Sequence, residues 1–418
     1  MIPRSAPRSH YPLVLVLVIA ALIKLFFMDA GRSFEVHDTA LEWIRSGEFK
    51  YHHLGAWNHT FQFPVYTAIV ALFYLLGLGK TAVLVFQLAC GTASAYLVYR
   101  TALVILAGRS YERAVAIGVA ALTGLSPFLA YYQVRMLHPF AWDMFLAMAL
   151  FHLSWTTRTD RPWRLLGLFS LAGLVLLDRP TLAVFMLPFF WRERHYLIRL
   201  RNMGLKLILL LVMIAPLGLW SIRNHAVTGR FELNSVSDQI IWMGIQEATQ
   251  GSGLLPNGDT YAELLTVPER RHLATLYPAG QSAFFKAKWQ AEVHKRPWLW
   301  WKMLAVKLKN FWLFRSNAGM DHSLAGMFWA ILLYKIYAMV LFAIVLCAAW
   351  SRNTQVRITL LTVLCLSVAQ CVFYFETRHR LLVEPLLMLI AAAAIGDAYE
   401  SWRGLRTTRT SSGGQALK

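Results

Sequence analysis

Glu35, Asp38 and Glu42 follow one another at spacings of three and four, so on a helix their carboxylates share a face. The surrounding segment is otherwise rich in histidine and aromatic residues: His37, Tyr51, His52, His53, Trp57, His59, Phe61 and Phe63. A carboxyl group held beside apolar side chains has a raised pKa, which suits a general base. The opposite charge recurs in four separated segments: Tyr131-Tyr132-Gln133-Val134-Arg135 with His138, Asp178-Arg179-Pro180, Arg223-Asn224, and Glu376-Thr377-Arg378-His379-Arg380. Converging guanidinium groups suit a phosphate or pyrophosphate, because they make bidentate contacts with phosphoryl oxygens. Plainer alternatives stand beside this. The acids also fit a solvated helix face, and Asp178 with Arg179 or Glu376 with Arg378 also fit structural ion pairs.

The elements that must position these residues follow from composition. Of 418 residues, 57% are hydrophobic and only 15% charged, which excludes disorder and an ordinary soluble enzyme. Apolar runs near the ~20 residues that cross a bilayer recur along the chain. They lie at 11–28, 83–106, 114–130, 139–155, 165–177, 181–191, 205–220, 327–350, 358–374 and 381–398. The fifth and sixth are short and read as an angled hairpin broken at Pro180. The expected class is an all-α polytopic membrane protein of about ten transmembrane helices, with interfacial helices and two outward loops.

Charge parity orients it. The run 63–78 is kept from crossing, as a helix at the outer interface. Arg100, Arg109, Arg113, Arg158, Arg161, Arg164, Arg192, Arg194, Arg199, Arg201, Arg352, Arg357, Arg403, Arg406 and Arg409 then all face the cytoplasm. Both termini are cytoplasmic on this reading, and the expected location is the plasma (inner) membrane. The net charge of +19 (41 Lys and Arg against 22 Asp and Glu) is thereby spread over short turns, which removes the basis for a nucleic-acid partner. The expected organisation is a cytoplasmic N-terminus 1–10, a membrane module 11–220 with first outward loop 29–62, an outward region 221–326, a second membrane module 327–398 and a cytoplasmic tail 399–418. Within 221–326, 240–256 reads as a loop able to cover a cleft, and Trp298 to Trp312 as an aromatic interfacial helix. Lys24 and Lys335 are expected to snorkel to an interface, and Asp143 to sit near the outer edge of its span. The four cysteines lack metal or disulfide spacing and read as small buried hydrophobes, while His225, His294 and His322 lack metal-ligand spacing.

In order and membrane side these features resemble the C-type glycosyltransferase fold, in the branch of protein mannosyltransferases and aminoarabinose transferases. The resemblance rests on Ser46-Gly47-Glu48-Phe49 closing the acidic loop, Phe63-Pro64-Val65-Tyr66 opening the interfacial helix, and Leu125-Ser126-Pro127 before the Tyr131, Tyr132, Arg135 turn. It continues through Asp178-Arg179-Pro180-Thr181, then Pro216 with Trp220, Arg223, Asn224 and Gly229, the helix from Lys295, and Glu376 to Arg380. It implies a polyprenyl-phosphate sugar donor, a lipid, glycan or protein acceptor on the non-cytoplasmic side, and a first-loop carboxylate as base. Asp38 ranks first for that role and Glu35 second. Arg179, Arg378, Arg380, Arg135 and Arg223 are expected at the donor phosphate, and His59, Tyr66, Tyr132, His138 and Glu376 in the substrate pocket. In the family an acid often stands where this chain has His138. No metal ligands are assigned and no cofactor is certain, with a divalent metal an open alternative. A transporter or flippase of lipid-linked sugars is the rival function; a non-catalytic scaffold would leave the outward charges unexplained.

Overall fold

The structure, a computed structural model, describes residues 11–31, 33, 35–158, 161–199, 203–255, 259–313, 328–351 and 353–413. The expectations placed on residues 1–10, Arg201, Pro256, His322, Arg352 and the end of the tail lie outside them. All ten apolar runs are helical. The bundle comprises α1 (Tyr11–Phe27), α4 (Gly79–Ile105), α5 (Glu112–Leu125), α7 (Phe140–Thr156), α8 (Pro162–Asp178), α9 (Leu187–Arg199) and α10 (Met203–Thr228). After the outer loops it resumes with α15 (Phe328–Cys347), α16 (Thr354–Phe373) and α18 (Glu384–Gly413). At one end, the outer end on the orientation expected from charge parity, lie α2 (Glu35–Ser46), a hairpin of β1 (Tyr51–His53) and β2 (Ala56–Asn58), α3 (Pro64–Leu75) and α6 (Pro127–Val134). They are joined there by α11 (Ser237–Gly244), α12 (Val267–Thr275), α13 (Pro278–Lys295), α14 (Leu299–Leu313) and the single turn α17 (Thr377–Leu381).

Prolines set many of the boundaries, since they favour the first helical turn and break an interior. Pro64, Pro127 and Pro162 each open a helix. Pro127 also bends α6 from α5 by 51°, with the Ser126 hydroxyl capping the new start by accepting from the Leu129 amide. The hairpin α8–α9 turns through a 3-10 segment, Pro180–Met186. Among the described residues, four helices are long and apolar enough to cross a membrane, or five if the bent α5–α6 pair is one span. The 17-residue helices α7 and α8 reach only about 25 Å, short of a ~30 Å hydrocarbon core, so they do not reach the crossing length alone. At 12 residues α3 is about 18 Å long, consistent with its not crossing.

The protein is thus a helical polytopic membrane protein in which α4, α5, α7, α8, α16 and α18 meet in a continuous apolar core. α10 packs along α8, where Gly173 lets the backbones approach: a Cβ there would lie 2.9 Å from the Met213 carbonyl oxygen. The rest of α10 exposes Leu207, Ile208, Leu211, Leu219 and Ile222, the signature of a lipid-facing surface. Lys24 does not snorkel. It is buried, donating to the Gly124 carbonyl oxygen at 3.3 Å. Cys90 and Cys371 are buried as expected, whereas Cys347 and Cys365 are exposed. At the inner end, Tyr111 and Ser351 donate to Asp397 at 2.6 and 3.0 Å, and Ser110 donates to Glu400 at 2.7 Å. Those contacts draw the turns after α4 and α15 to α18.

The outer layer is locked to the bundle where Gly244 ends α11. A Cβ at Gly244 would fall on the Phe373 carbonyl, a backbone atom that has little room to give. Lys307 of α14 donates to that same oxygen at 2.8 Å, and the Phe375 amide donates to Gly251 at 2.9 Å. Gly244→Ala should therefore lower the detergent-solubilised melting temperature, as expected for an overpacking cost of about 1–3 kcal/mol. Gly118→Ala, which meets open space, should not lower it. Equal melting of the two variants would count against this junction.

Candidate functional site

Arg378, one of the arginines expected to face outward, is held by three neighbouring side chains. Its guanidinium lies 2.6 Å from Glu376, donates to the Tyr374 hydroxyl at 3.1 Å and lies 2.9 Å from His138 Nε2. The single turn α17 presents it, and Lys307 and Gly251 hold the residues just before. On the facing wall Arg179, which follows α8 in extended conformation, donates to Asp143 at 2.6 Å and to Gln370 at 3.3 Å. Asp143 stands at the start of α7, as expected near the edge of its span, and is buried there.

His138, between α6 and α7, receives the Phe140 amide on Nδ1 at 3.1 Å while Nε2 faces Arg378. A neutral imidazole accepts on one nitrogen only, so one of these donors faces a ring N–H, and a second ring proton would oppose both of them. Burial first, then the charges of Arg378 and Arg179, hold its pKa well below the usual 6.5. His379 is likewise buried and pushed well below its usual value.

These groups line one cavity of ≈ 980 Å³ at the outer end of the bundle. That is near the top of the ~300–1,000 Å³ range of small-molecule sites. Glu35, Tyr66, His138, Arg179, Glu376 and Arg378, expected from sequence, all contribute to its lining. Ile240, Met243, Gly253 and Leu254 border it as well, from the loop that the sequence suggested could cover a cleft.

The other expected residues lie elsewhere. Asp38 is exposed one turn along α2 and does not line the cavity. Arg135 pairs with Asp29 at 3.2 Å. Arg223 donates to the carbonyl oxygens of His59 and Phe49 at 2.6 and 3.2 Å, with its guanidinium over the Trp220 ring, so it ties α10 to the first loop. His59 takes part through its backbone, away from the cavity lining. Arg380 is buried against Glu384 and the Tyr334 hydroxyl, at 3.2 and 2.6 Å, inside the bundle. Tyr132 is buried against Phe140. The expected ring of five arginines reduces to two at the cavity.

Glu35 opens α2 and is only partly exposed. Burial raises its carboxyl above the ordinary 4.5. A hydrogen bond from its own backbone and the charge of Arg378 oppose that rise, while Glu376 and Asp38 add to it. The result is a carboxylate of increased basicity beside a guanidinium. The cavity also holds a set that sequence reasoning did not single out: Gln239 and Tyr261, joined by His53 from the histidine-rich loop. No local signal marks them, because His53 and Gln239 are 186 residues apart. Among the described residues, no group of three or more His, Cys, Asp or Glu is arranged to hold a metal ion.

The site defines a helical membrane protein with a cavity lined by two charge-paired guanidinium groups, Arg179 and Arg378, and by the carboxyl groups of Glu35 and Asp178. No family model matches the sequence, and no curated protein is significantly similar to it. Among solved structures, the chain is similar to a crystal structure of ArnT from Cupriavidus metallidurans bound to undecaprenyl phosphate. The identity is 13%, with 92% of this chain and 78% of that chain covered, at a TM-score of 0.38. At that distance, function has to be argued from the cavity's own residues.

A raised pKa in the folded state means folding favours the protonated acid. Glu35 then contributes stability that is full below about 4.5 and lost as pH rises through its raised value. Glu35→Gln should therefore melt higher than wild type at pH 7.5 and level with it near pH 4. A lower melting temperature at pH 7.5 would contradict the burial of this carboxyl.

Proposed function

We propose that the protein is a membrane glycosyltransferase that moves a sugar from a polyprenyl-phosphate donor to a hydroxyl or amine acceptor on the non-cytoplasmic face. The observation that carries this is the meeting, in one cavity, of Glu35 with Arg179 and Arg378. In the reaction the Glu35 carboxylate takes the acceptor proton as the acceptor oxygen or nitrogen attacks the anomeric carbon. The bond from that carbon to the phosphate oxygen breaks, and its electron pair leaves with the lipid phosphate. Direct displacement of this kind inverts the anomeric configuration.

Arg179 and Arg378 are already charge-paired with Asp143 and Glu376. Their guanidinium groups are therefore oriented before substrate arrives, and donors held ready for developing charge need little reorganisation. Phosphate is a workable leaving group once its charge is met this way. Neutral His138 adds no further negative charge beside Arg378, which Glu376 already pairs, where an acid in its place would compete with the phosphate. The isoprenoid chain is assigned to the apolar surface near α3, whose Tyr66 and Thr67 line the cavity. The acceptor class stays as broad as the sequence left it: a lipid, glycan or protein.

Glu35 replaces Asp38 as the preferred base because it reaches the cavity. In proteoliposomes with radiolabelled polyprenyl-phosphate sugars and lipid or polymer acceptors, Glu35→Gln should lose about 10²–10⁴-fold in transfer rate. Asp38→Asn should stay within about threefold, as expected of an exposed side chain outside the lining. Loss confined to Asp38→Asn would reverse the assignment.

A further inference from the structure

Besides its charged residues the cavity is lined by a neutral set, His53, Gln239 and Tyr261, which forms its rim. His53 ends β1, Gln239 lies in the first turn of α11, and Tyr261 starts a 3-10 turn, Tyr261–Leu264. Gln239 links the other two. Its Oε1 lies 3.2 Å from His53 Nε2, and its Nε2 donates to the Tyr261 hydroxyl at 2.6 Å.

The chain of bonds has a direction. Because Gln239 Oε1 can only accept, the His53 proton sits on Nε2 and its Nδ1 carries a lone pair. Because the Tyr261 oxygen accepts from Gln239, its own proton is available to donate. Burial lowers the pKa of His53, which keeps the ring neutral. The relay therefore ends in one acceptor and one donor, neither with a protein hydrogen-bond partner among the described residues.

The rim is held rigid from behind. Asp238, next to Gln239, accepts from Ser282 at 2.8 Å and from Trp289 at 3.0 Å, pinning α11 to α13. Trp242 packs edge-on against Tyr261 with centroids 6.2 Å apart. Phe61 lies 4.6 Å from the His53 ring and also lines the cavity, supplying an apolar face. The neighbouring lining residues Asn234, Ser237 and Thr260 are polar and uncharged. The charge of Glu35 reaches Tyr261, so a group seated on this rim would lie near the proposed base.

We infer that the His53–Gln239–Tyr261 relay is a specificity-determining subsite that reads the hydroxyl groups of a neutral glycosyl unit on the lipid donor. This rests on the function proposed above and narrows its substrate class. A hydroxyl both donates and accepts, so it satisfies both ends of the relay. An ammonium group in place of that hydroxyl offers only donors and would set them against the Tyr261 proton. The apolar face of Phe61 suits the C–H-bearing face of a sugar ring.

The test measures binding to the full-length protein in nanodiscs without acceptor, using three probes: polyprenyl phosphate, polyprenyl-phosphate glucose and polyprenyl-phosphate aminoarabinose. Wild type should bind the glucosyl lipid more tightly than the bare phosphate, and more tightly than the cationic aminoarabinosyl lipid. Tyr261→Phe, which keeps the ring against Trp242, should cut the glucosyl preference about tenfold, equivalent to about 1.4 kcal/mol, and leave bare-phosphate affinity within twofold. Gln239→Leu should do the same. An unchanged preference in Tyr261→Phe, or a wild-type preference for the aminoarabinosyl lipid, overturns the inference. Failure of wild type to bind any of the three lipids instead contradicts the proposed function, and the subsite with it.

Discussion

A guanidinium removed from water must be met by acceptors or by charge, and that requirement organises the outer end of this bundle. Arg378 is met by Glu376 and Tyr374 from its own turn and by His138 from the turn before α7. Arg179 is met by Asp143 of α7 and Gln370 of α16. Removing one partner would strand a charge against the apolar core, so the ends of α7, α8 and α16 and the turn at α17 are tied together. The positioning extends outward. Lys307 of α14 meets the last carbonyl groups of α16, where a cation complements the helix dipole, and Gly251 fixes Phe375.

Within that frame the cavity separates two kinds of recognition. Its charged floor has orientation and field, suited to a lipid phosphate. Its rim has directed hydrogen bonds and an aromatic face, suited to a sugar. Glu35 lies within electrostatic reach of both, close to Arg378 and to Tyr261. An acid that feels both the proposed anion site and the proposed hydroxyl site is the physical content of the transferase proposal. It does not depend on the likeness to any solved structure.

Much of the helical layout was legible in the sequence, because apolar runs and prolines act locally. The break at Pro180 came from those signals alone. Which outward charges share a pocket was only half legible. On α17, Arg378 and Arg380 are two residues apart, about 200° around a helix, so they cannot face the same way. Arg378 takes the cavity and Arg380 the core. Glu35 and Asp38 differ by one turn at the start of α2, and only packing decides which points inward. Arg223 carries the same charge as Arg179, yet Phe49, Trp220 and the His59 carbonyl claim it first. The neutral rim was invisible because its three members come from distant parts of the chain and have common side chains with no spacing to mark them. Lys24 was misplaced because its partner, the Gly124 carbonyl, lies 100 residues away.

The most direct test of the central claim is a cryo-electron microscopy structure of the protein in nanodiscs with polyprenyl phosphate bound. The phosphate should lie within hydrogen-bonding distance of Arg179 and Arg378, with Glu35 facing the side from which a sugar would be attacked. A phosphate bound instead at Arg135, Arg223 or Arg380, with the cavity empty, would contradict the account.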